Sequence, residues 1–280
     1  MVVAITGTDG FIGQKLIQLF KKNNIETISI NRETFSDISN WNNVKDIKKF
    51  DILIHLAAKS FVPDSYISPR NMFNANINGT LNMLELCRKN KARLIFTSSY
   101  VYGNPSYLPI DEKHPIKAFN PYAQSKIIGE NLCEIYSNNF DISVVVLRLF
   151  NVYGKGQSEN FLIPSIIKQI KSEKIVLNDL NPKRDYIYID DLLDVYFKLI
   201  NKEFSGFKLF NIGSGESVSI KKIISTIELK INKKFDIISL DKIRKNEIKE
   251  TKADISKISK YINWQPKISF KDGLHKILNK

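Results

Sequence analysis

The chain has 280 residues, 43% hydrophobic and 25% charged, a composition typical of a globular α/β protein with one large domain or with a small appended one. No apolar run approaches the roughly 20 residues that a membrane-spanning helix requires. Met1 leads directly into an apolar run without the features of a signal peptide. Cys87 and Cys133 lack metal-ligand spacing and are typical of buried free thiols. We therefore expect a cytoplasmic protein without a membrane partner or a metal.

The formal net charge of +13 raises the question of a nucleic-acid partner. Most of the excess of Lys and Arg lies beyond residue 220, where it is interspersed with acids and apolar residues. Lys, Ile and Asn are abundant throughout the chain, which favours a general compositional bias. No nucleic-acid partner is expected, and a basic surface that attracts a diphosphate ligand fits the pattern better.

The first segment predicts a strand, a glycine turn and a helix. Val2–Thr6 is an apolar run, and the turn that follows has the spacing Gly-x-x-Gly-x-x-Gly before an amphipathic stretch that ends near Lys22. Such a turn lets backbone N–H groups and a helix N-terminus approach a pyrophosphate. The spacing differs from the common Gly-x-Gly-x-x-Gly fingerprint, so a bare turn would also explain it. Its position after the first strand strengthens the dinucleotide interpretation.

The second predicted strand, Glu26–Ile30, ends at Asn31 and Arg32. In dinucleotide folds an acid at this strand end holds the ribose hydroxyls, whereas an arginine can hold a 2′-phosphate. The acid is missing and Arg32 is present, which favours NADP. Glu33 leaves NAD open, and Arg32 could also be an ordinary surface residue.

Strands and helices continue to alternate through the first half of the chain. Asp51–Leu56 predicts a third strand and Leu94–Thr97 a fourth, with a helix at 71–89 between them. This alternation indicates a Rossmann-like, doubly wound parallel sheet. Ala57 and Ala58 follow the third strand, where small residues would let a cofactor lie across the strand ends.

Hydroxyl groups cluster after the fourth strand, and a Tyr-x-x-x-Lys pair follows. Residues 97–100 are Thr-Ser-Ser-Tyr, at the edge where open α/β sheets bind ligands. After a proline-rich loop, Tyr122 and Lys126 lie four residues apart and share one helix face. A lysine near a phenol favours the phenolate and lowers the pKa of the tyrosine toward neutrality. The tyrosine can then exchange a proton with a carbonyl or carbinol oxygen. A packed tyrosine beside a solvated lysine is the alternative.

In their order and spacing these motifs resemble the extended short-chain dehydrogenase/reductases that act on nucleotide sugars. The resemblance covers nearly the whole chain. It rests on the glycine turn, His55-Leu56-Ala57-Ala58, the segments 98–103 and 120–126, and further signatures at 147–154, 184–191, 210–215 and 264–266.

The resemblance implies a catalytic triad of Ser98, Tyr122 and Lys126. Tyr122 would be the acid/base, Lys126 would bind the nicotinamide ribose and lower the pKa of the tyrosine, and Ser98 would hydrogen-bond the reacting oxygen. The cofactor is NADP(H) by preference, with NAD(H) possible. The implied cofactor-binding residues are Gly7, Gly10, Phe11, Ile12, Gly13, Asn31, Arg32, Asp37, Ile38, Leu56, Ala57, Ala58, Tyr122 and Lys126, with Asp37 and Ile38 beside the adenine.

The resemblance also implies a nucleoside-diphosphate sugar as the substrate. The expected substrate contacts are Ser98, Ser99, Tyr100, Asn151, Phe161 and Arg184. The guanidinium fork of Arg184 suits the diphosphate, and an ion pair with Asp185 or Asp190 is the structural alternative. Residues 1–154 would form the dinucleotide-binding domain and 155–280 mainly a small α/β substrate-binding cap, with 185–212 returning in part to the first domain.

The family reaches several outcomes from hydride transfer at a sugar carbon. Its dehydratases resemble this chain but carry an Asp-Glu pair immediately after the catalytic hydroxyl residue, where Ser99 and Tyr100 stand here. Dehydration is therefore not expected, and no motif supports decarboxylation. A 4-epimerase with retained NAD and a 4-ketoreductase that uses NADPH or NADH remain. The missing acid after Ile30 favours reduction of an NDP-4-keto-6-deoxyhexose, and a non-catalytic dinucleotide sensor is a third interpretation.

The family further implies a role in bacterial surface polysaccharide synthesis and a homodimer. The dimer would pair helices that include 71–89 and 120–138.

Overall fold

The computed structural model describes residues 1–242 and 246–279. The chain divides into two compact units: the first comprises Met1–Val101, Ile116–Leu149 and Leu193–Phe210, and the second Tyr102–Pro115, Phe150–Leu192 and Asn211–Lys280. This division differs from the predicted boundary at residue 154. The second unit begins earlier and includes a loop from the first half, and the returning segment is 193–210 rather than 185–212.

The bounds of the elements are as follows. The strands are β1 (Val2–Thr6), β2 (Glu26–Ile30), β3 (Ile52–His55), β4 (Arg93–Ser99), β5 (Val144–Leu149), β6 (Asn151–Tyr153), β7 (Lys174–Leu177), β8 (Lys183–Tyr188), β9 (Phe207–Ile212), β10 (Ser217–Ser219) and β11 (Asp236–Ser239). The α-helices are α1 (Phe11–Lys22), α2 (Arg32–Phe35), α3 (Trp41–Val44), α4 (Val62–Ile67), α5 (Pro69–Phe73), α6 (Gly79–Asn90), α7 (Pro121–Phe140), α8 (Leu162–Gln169), α9 (Ile189–Ile200), α10 (Ile220–Ile231), α11 (Ser256–Ile262) and α12 (Phe270–Leu278).

The first unit is built on a sheet with the strand order β2-β1-β3-β4-β5-β9, in which β1 to β5 pair in parallel. This confirms the predicted Rossmann-like α/β fold. The chain order reverses between β1 and β3, and in open parallel sheets ligands bind outside the carboxyl ends of the strands at such a point. Strands β1, β3 and β5 are buried almost throughout, as is typical of a parallel sheet with helices on both faces.

The helix that was predicted at 71–89 is interrupted. A π-helical turn, Asn74–Asn78, separates α5 from α6. The wider turn carries the buried amide of Asn76, whose hydrogen bonds to Lys59 and Ser125 hold it toward the sheet rather than toward solvent. Single π-helical turns of this kind are frequent at functional sites.

Helix α7 begins at a well-defined cap, which fixes the height of its first turn above the sheet. The side chain of Asn120 accepts a hydrogen bond from the backbone N–H of Ala123 at 2.8 Å. Pro121 occupies the first helical position, where a missing N–H costs nothing. The cap therefore fixes the position of the first two turns of α7, which carry Tyr122 and Lys126.

The second unit contains a three-stranded sheet of order β10-β8-β6 and a two-stranded parallel sheet of β7 and β11. Its polar centre is Asp185, which is fully buried. The carboxylate accepts hydrogen bonds from the backbone N–H groups of Ser214, Gly215 and Ala253 and from the Ser214 hydroxyl. Burial raises the pKa of Asp185, and the donors oppose that rise. Across the described residues, the search for a helix capable of crossing a membrane returned none.

Replacing Asp185 with asparagine tests this centre. Both carboxylate oxygens of Asp185 accept backbone N–H groups, and asparagine would replace one oxygen with an NH₂ group that cannot accept them. We therefore expect the free energy of unfolding to fall by about 2 kcal/mol. Denaturant unfolding of Asp185→Asn and of Asp236→Asn measures the two free energies of unfolding. Asp236 is the control, because it is an exposed aspartate of β11 in the same unit. Equal stability of the two variants would contradict the role of Asp185.

Candidate functional site

The glycine turn between β1 and α1 packs directly against the end of β3. Gly7 has φ +71°, and a Cβ on it would lie 2.9 Å from the backbone nitrogen of Ala57. A Cβ on Gly13 would fall well inside van der Waals contact with the carbonyl oxygen of Gly7. Gly10 is the N-cap of α1, so no side chain caps the helix. The turn thus brings two strand ends together and leaves the N–H groups of the helix start available to an anion.

A cavity of about 300 Å³ opens at this turn. Most of the predicted cofactor-binding residues line it: Gly7, Gly10, Asn31, Arg32, Asp37, Ile38, Leu56, Ala57 and Ala58. Phe11, Ile12 and Gly13 lie in the first turn of α1 and are not part of the lining, nor are Tyr122 and Lys126. Residues from positions 7 to 58 therefore meet around one space at the β1–β3 switch point.

The polar end of this space is cationic. An adjacent cavity of about 370 Å³ shares Arg32, Asp37 and Lys59 with the first. Arg32 and Lys59 are exposed, and neither forms an ion pair within the described residues. Asp37 already accepts the N–H of Ser39 through its Oδ1 atom.

Asn31 is committed to the backbone. Its Oδ1 atom caps α2 by accepting the N–H of Thr34 at 3.0 Å. The residue directly after β2 is thus a capping amide, and the carboxylate of Asp37 lies further along the same cavity wall.

Two residues of this region were not found from the sequence. Lys59 follows Ala58 directly, and a cation beside that strand-end motif was the available signal. Asn76 had no local signal, because its partners are 17 and 49 residues away: its Oδ1 accepts the N–H of Lys59, and its Nδ2 donates to the Lys59 carbonyl and to Ser125 Oγ. The Asn76 amide thus links the loop that follows β3, at Lys59, to helix α7.

His55 is a structural link rather than a proton carrier. The Thr6 hydroxyl accepts the N–H groups of Leu56 and Ala57, so its own proton points to His55 Nδ1 at 2.7 Å. His55 Nε2 then carries the ring proton and donates to the Thr80 hydroxyl at 3.1 Å. Burial, with Lys126 nearby, lowers the pKa of His55 to about 3, and the ring stays neutral. His55 is therefore a packed strand residue.

Tyr122 and Lys126 share one face of α7, as the spacing requires, but their electrostatics differ from the expectation. Burial raises the pKa of Tyr122, and the opposing contribution is a hydrogen bond from Ser99 rather than the charge of Lys126. The Lys126 ammonium donates to the Thr97 carbonyl at 2.8 Å. Its own pKa is lowered to about 8, because it is buried. The predicted lowering of the tyrosine pKa by lysine is not observed in the protein alone, since desolvation outweighs it.

Ser98 is bonded to a carboxylate of α7. Its hydroxyl donates to Oε1 of Glu130 at 2.5 Å, and the side chain is only 2% exposed. Ser99, the last residue of β4, is the serine that opposes the rise in the pKa of Tyr122. Ser98 thus donates to a buried carboxylate of α7 in the protein alone, and its contact with the reacting oxygen stays a prediction.

The predicted substrate contacts of the second unit lie on neighbouring elements. Asn151 begins β6 and donates to the carbonyl of Asp185 at 3.1 Å, beside Arg184 on β8. Arg184 forms its ion pair with Glu247, at 2.5 Å between Nη2 and Oε1, rather than with Asp185 or Asp190. Phe161 precedes α8 and is 40% exposed. In the first unit, Tyr100 follows β4 and is partly buried.

Comparison with known proteins gives consistent matches over the chain. The profile of the NAD dependent epimerase/dehydratase family matches residues 3–213. The chain is 33% identical over 252 residues to UDP-glucuronate 4-epimerase of Thermodesulfobacterium geofontis, covering 87% of this chain and 77% of that protein. It is 29% identical over 307 residues to dTDP-4-dehydro-6-deoxyglucose reductase of Escherichia coli, covering 99% and 96%. The structure of RMD from Pseudomonas aeruginosa complexed with NADPH superimposes with a TM-score of 0.91 at 26% identity, covering 99% and 97%.

The glycine turn yields a graded test. Gly13→Ala places a methyl group against the Gly7 carbonyl, whereas in Gly10→Ala the new Cβ meets the same oxygen at 3.2 Å, a contact that small shifts relieve. We expect Gly13→Ala to weaken dinucleotide binding at least about 100-fold, roughly 2.7 kcal/mol, and Gly10→Ala to weaken it less.

Fluorescence titration with NADPH and NADH measures both variants, and circular dichroism checks that each is folded. Wild-type affinity in a folded Gly13→Ala protein would show that the turn does not hold the cofactor.

Proposed function

We propose, from the premise that this chain belongs to the NAD dependent epimerase/dehydratase family, that it uses NADPH to reduce the C4 keto group of a nucleoside-diphosphate 4-keto-6-deoxyhexose. The family membership and the fold make it an extended short-chain dehydrogenase/reductase. The cofactor preference, the substrate and the direction of the reaction are the parts proposed here.

The observation that carries the proposal is the charge at the end of β2. Asn31 is occupied as a helix cap, while the side chains of Arg32 and Lys59 flank the shared cavities without an ion-pair partner among the described residues. A 2′-phosphate would find a planar guanidinium and an ammonium there, and the fork of Arg32 matches its oxygens. In a net reduction the spent cofactor leaves and a new NADPH binds from solution after each turnover. An epimerase keeps its NAD bound, because the hydride taken from the sugar is returned to it.

The protonation of Tyr122 supports the same direction. Its raised pKa keeps the phenol protonated at neutral pH, the form that donates a proton. The bound nicotinamide would supply the hydride to C4. The Tyr122 hydroxyl then releases its proton to the C4 oxygen as the carbonyl becomes an alcohol, and solvent restores the phenol. Lys126, held at the Thr97 carbonyl, would turn to the nicotinamide ribose and stabilise the transient phenolate.

The substrate would be bound by the second unit. Arg184 would hold the diphosphate, which must replace the Glu247 carboxylate in its ion pair. Asn151 lies beside it on β6, and the exposed ring of Phe161 offers an apolar surface to the base or the sugar.

A 4-epimerase is the second candidate. The observation in its favour is the 33% identity to UDP-glucuronate 4-epimerase, which exceeds the 29% identity to the reductase. The same Tyr122 and Lys126 would serve both reactions.

The deciding experiment follows the absorbance of NADPH or NADH with a panel of NDP-4-keto-6-deoxyhexoses and, in parallel, the inversion of NDP-hexoses without added cofactor. Stoichiometric loss of NADPH supports the proposal. Inversion at C4 without consumption of cofactor replaces it with the epimerase. Dinucleotide binding without either activity indicates a sensor.

Tyr122→Phe removes the proposed proton donor while keeping the ring. We expect turnover to fall by at least about 10³-fold, with NADPH binding nearly unchanged. Tyr136→Phe is the matched control on the same helix, since that hydroxyl bonds Glu85 rather than a strand end. Activity of Tyr122→Phe within a few-fold of wild type would rule out its role.

Arg32→Ala should weaken NADPH much more than NADH, because only NADPH carries the 2′-phosphate. Loss of one charge-assisted contact predicts about 10-fold to 100-fold in Kd for NADPH. Arg88→Ala, in which the arginine paired with Glu85 on α6 is removed, should leave both affinities unchanged. Equal effects of Arg32→Ala on the two cofactors would contradict a 2′-phosphate site.

A homodimer through α7 is also proposed. Ile128 and Ile135 lie seven residues apart on one face of this helix and are 37% and 49% exposed. A second copy of the helix would cover them.

A further inference from the structure

We propose that Asn82 is a positioning residue for the cofactor, because its amide holds the loop 36–39 in the shape that receives the adenine. The inference rests on the part of the proposed function that places a nicotinamide dinucleotide in the cavity at the β1–β3 switch point. It applies to NADPH and NADH alike, since both carry the adenine. Asn82 does not line the cavity and acts through Ile38.

The loop 36–39 forms a wall of both cavities at the switch point. Ser36, Asp37 and Ile38 line the cavity of about 300 Å³, and Ser36 and Asp37 also line the one of about 370 Å³. The loop follows α2 and precedes α3, so contacts with other elements must determine its shape. Ser36 has φ +56°, a left-handed value that is uncommon outside glycine. Such a conformation persists only where surrounding contacts hold it.

Helix α6 supplies the most protected of these contacts. Asn82 Nδ2 donates to the carbonyl of Ile38 at 2.8 Å, and Asn82 is buried. Three residues earlier, Gly79 leaves room for the Ile38 side chain, since a Cβ on Gly79 would lie 3.1 Å from Ile38 Cδ1. Residues three apart lie on one helix face. The same face of α6 therefore holds Ile38 by its carbonyl and accommodates its side chain.

Two further asparagines hold the loop on its exposed side. Asn43 Nδ2 donates to the carbonyl of Asp37 at 3.0 Å, and Asn74 Nδ2 donates to the Ser39 hydroxyl at 3.0 Å. Water can replace an exposed donor, whereas a carbonyl that loses a buried donor keeps the cost of desolvation. Among the three amides, that of Asn82 is therefore the one whose loss affects the loop most.

A loop that already has the receiving shape lowers the cost of binding, because the cofactor does not have to order it. Without the Asn82 amide, the loop would populate other shapes, and part of the binding free energy would be spent on restoring this one. The loss would concern ligands that contain the adenine. The nicotinamide half does not meet this loop in the proposed arrangement, so its affinity would be retained.

The test measures the dissociation constants of NADPH, NADH and reduced nicotinamide mononucleotide, which lacks the adenine, for the full chain. We expect Asn82→Ala to weaken both dinucleotides about 10-fold and to leave the mononucleotide unchanged. Asn90→Ala is the matched control on α6, because its Nδ2 atom donates to the Leu86 carbonyl of the same helix at 2.9 Å. It should change none of the three constants.

Circular dichroism checks that each variant is folded. Gly79→Ala is the second variant and keeps the test open if Asn82→Ala does not fold. Its new methyl group presses on the flexible end of Ile38, so we expect a smaller loss with the same selectivity for the dinucleotides.

Two results in a folded Asn82→Ala protein would overturn the inference. Unchanged dinucleotide affinities would show that the loop does not need this bond, and an equal loss for the mononucleotide would show a general loosening. If the wild type prefers NADH or reduces none of the ketosugars, the proposed function fails on its own. The comparison of Asn82→Ala with Asn90→Ala then still decides the role of Asn82, because it depends only on binding.

Discussion

The close approach of the glycine turn to the end of β3 is the constraint on which the rest of the first unit depends. Backbone lies against backbone there, so that Gly7 and Gly13 leave no space for a side chain. The Thr6 hydroxyl holds the N–H groups of Leu56 and Ala57 at the same point. Because these bonds fix two strand ends together, the cavity at the β1–β3 switch point already exists in the protein alone.

This constraint continues into the helix that bears Tyr122. From Thr6 the hydrogen bonds run through His55 and Thr80 to the carbonyl of Asn76. The Asn76 side chain then bonds Ser125 on α7. The loop that follows β3 and helix α7 are thus connected by hydrogen bonds in which each donor and acceptor is assigned. His55 must be neutral for this assignment, because one of its ring nitrogens accepts a hydrogen bond. A charged imidazole would need a second acceptor that this chain of bonds does not offer.

Burial decides the electrostatics more than neighbouring charges do. The pKa values of Tyr122 and Lys126 move in opposite directions, the first up and the second down to about 8, because desolvation disfavours the charged form of both groups. The phenol of Tyr122 therefore stays protonated, which is the form that donates a proton. A bound dinucleotide brings negative charge and would favour the lysine cation.

The sequence alone determined the parts of this protein that depend on local pattern. Apolar runs and glycines placed β1, β2 and α1, the spacing of four placed Tyr122 and Lys126 on one face, and the motif order identified the family. These features could be predicted because each depends on residues that are close together in the sequence.

Only the tertiary structure decided that Ser98 bonds Glu130, where the charge of Arg184 is paired, and how Asn76 is joined to Lys59. Ser98 and Ser99 are chemically identical, but they are consecutive in β4 and point to opposite faces of the sheet, and Glu130, 32 residues further along, reaches Ser98. Arg184 pairs across 63 residues, and Asn76 bonds across 17 and 49. A hydrogen bond or an ion pair is set by separation in space, and no pattern of neighbouring residues records that distance.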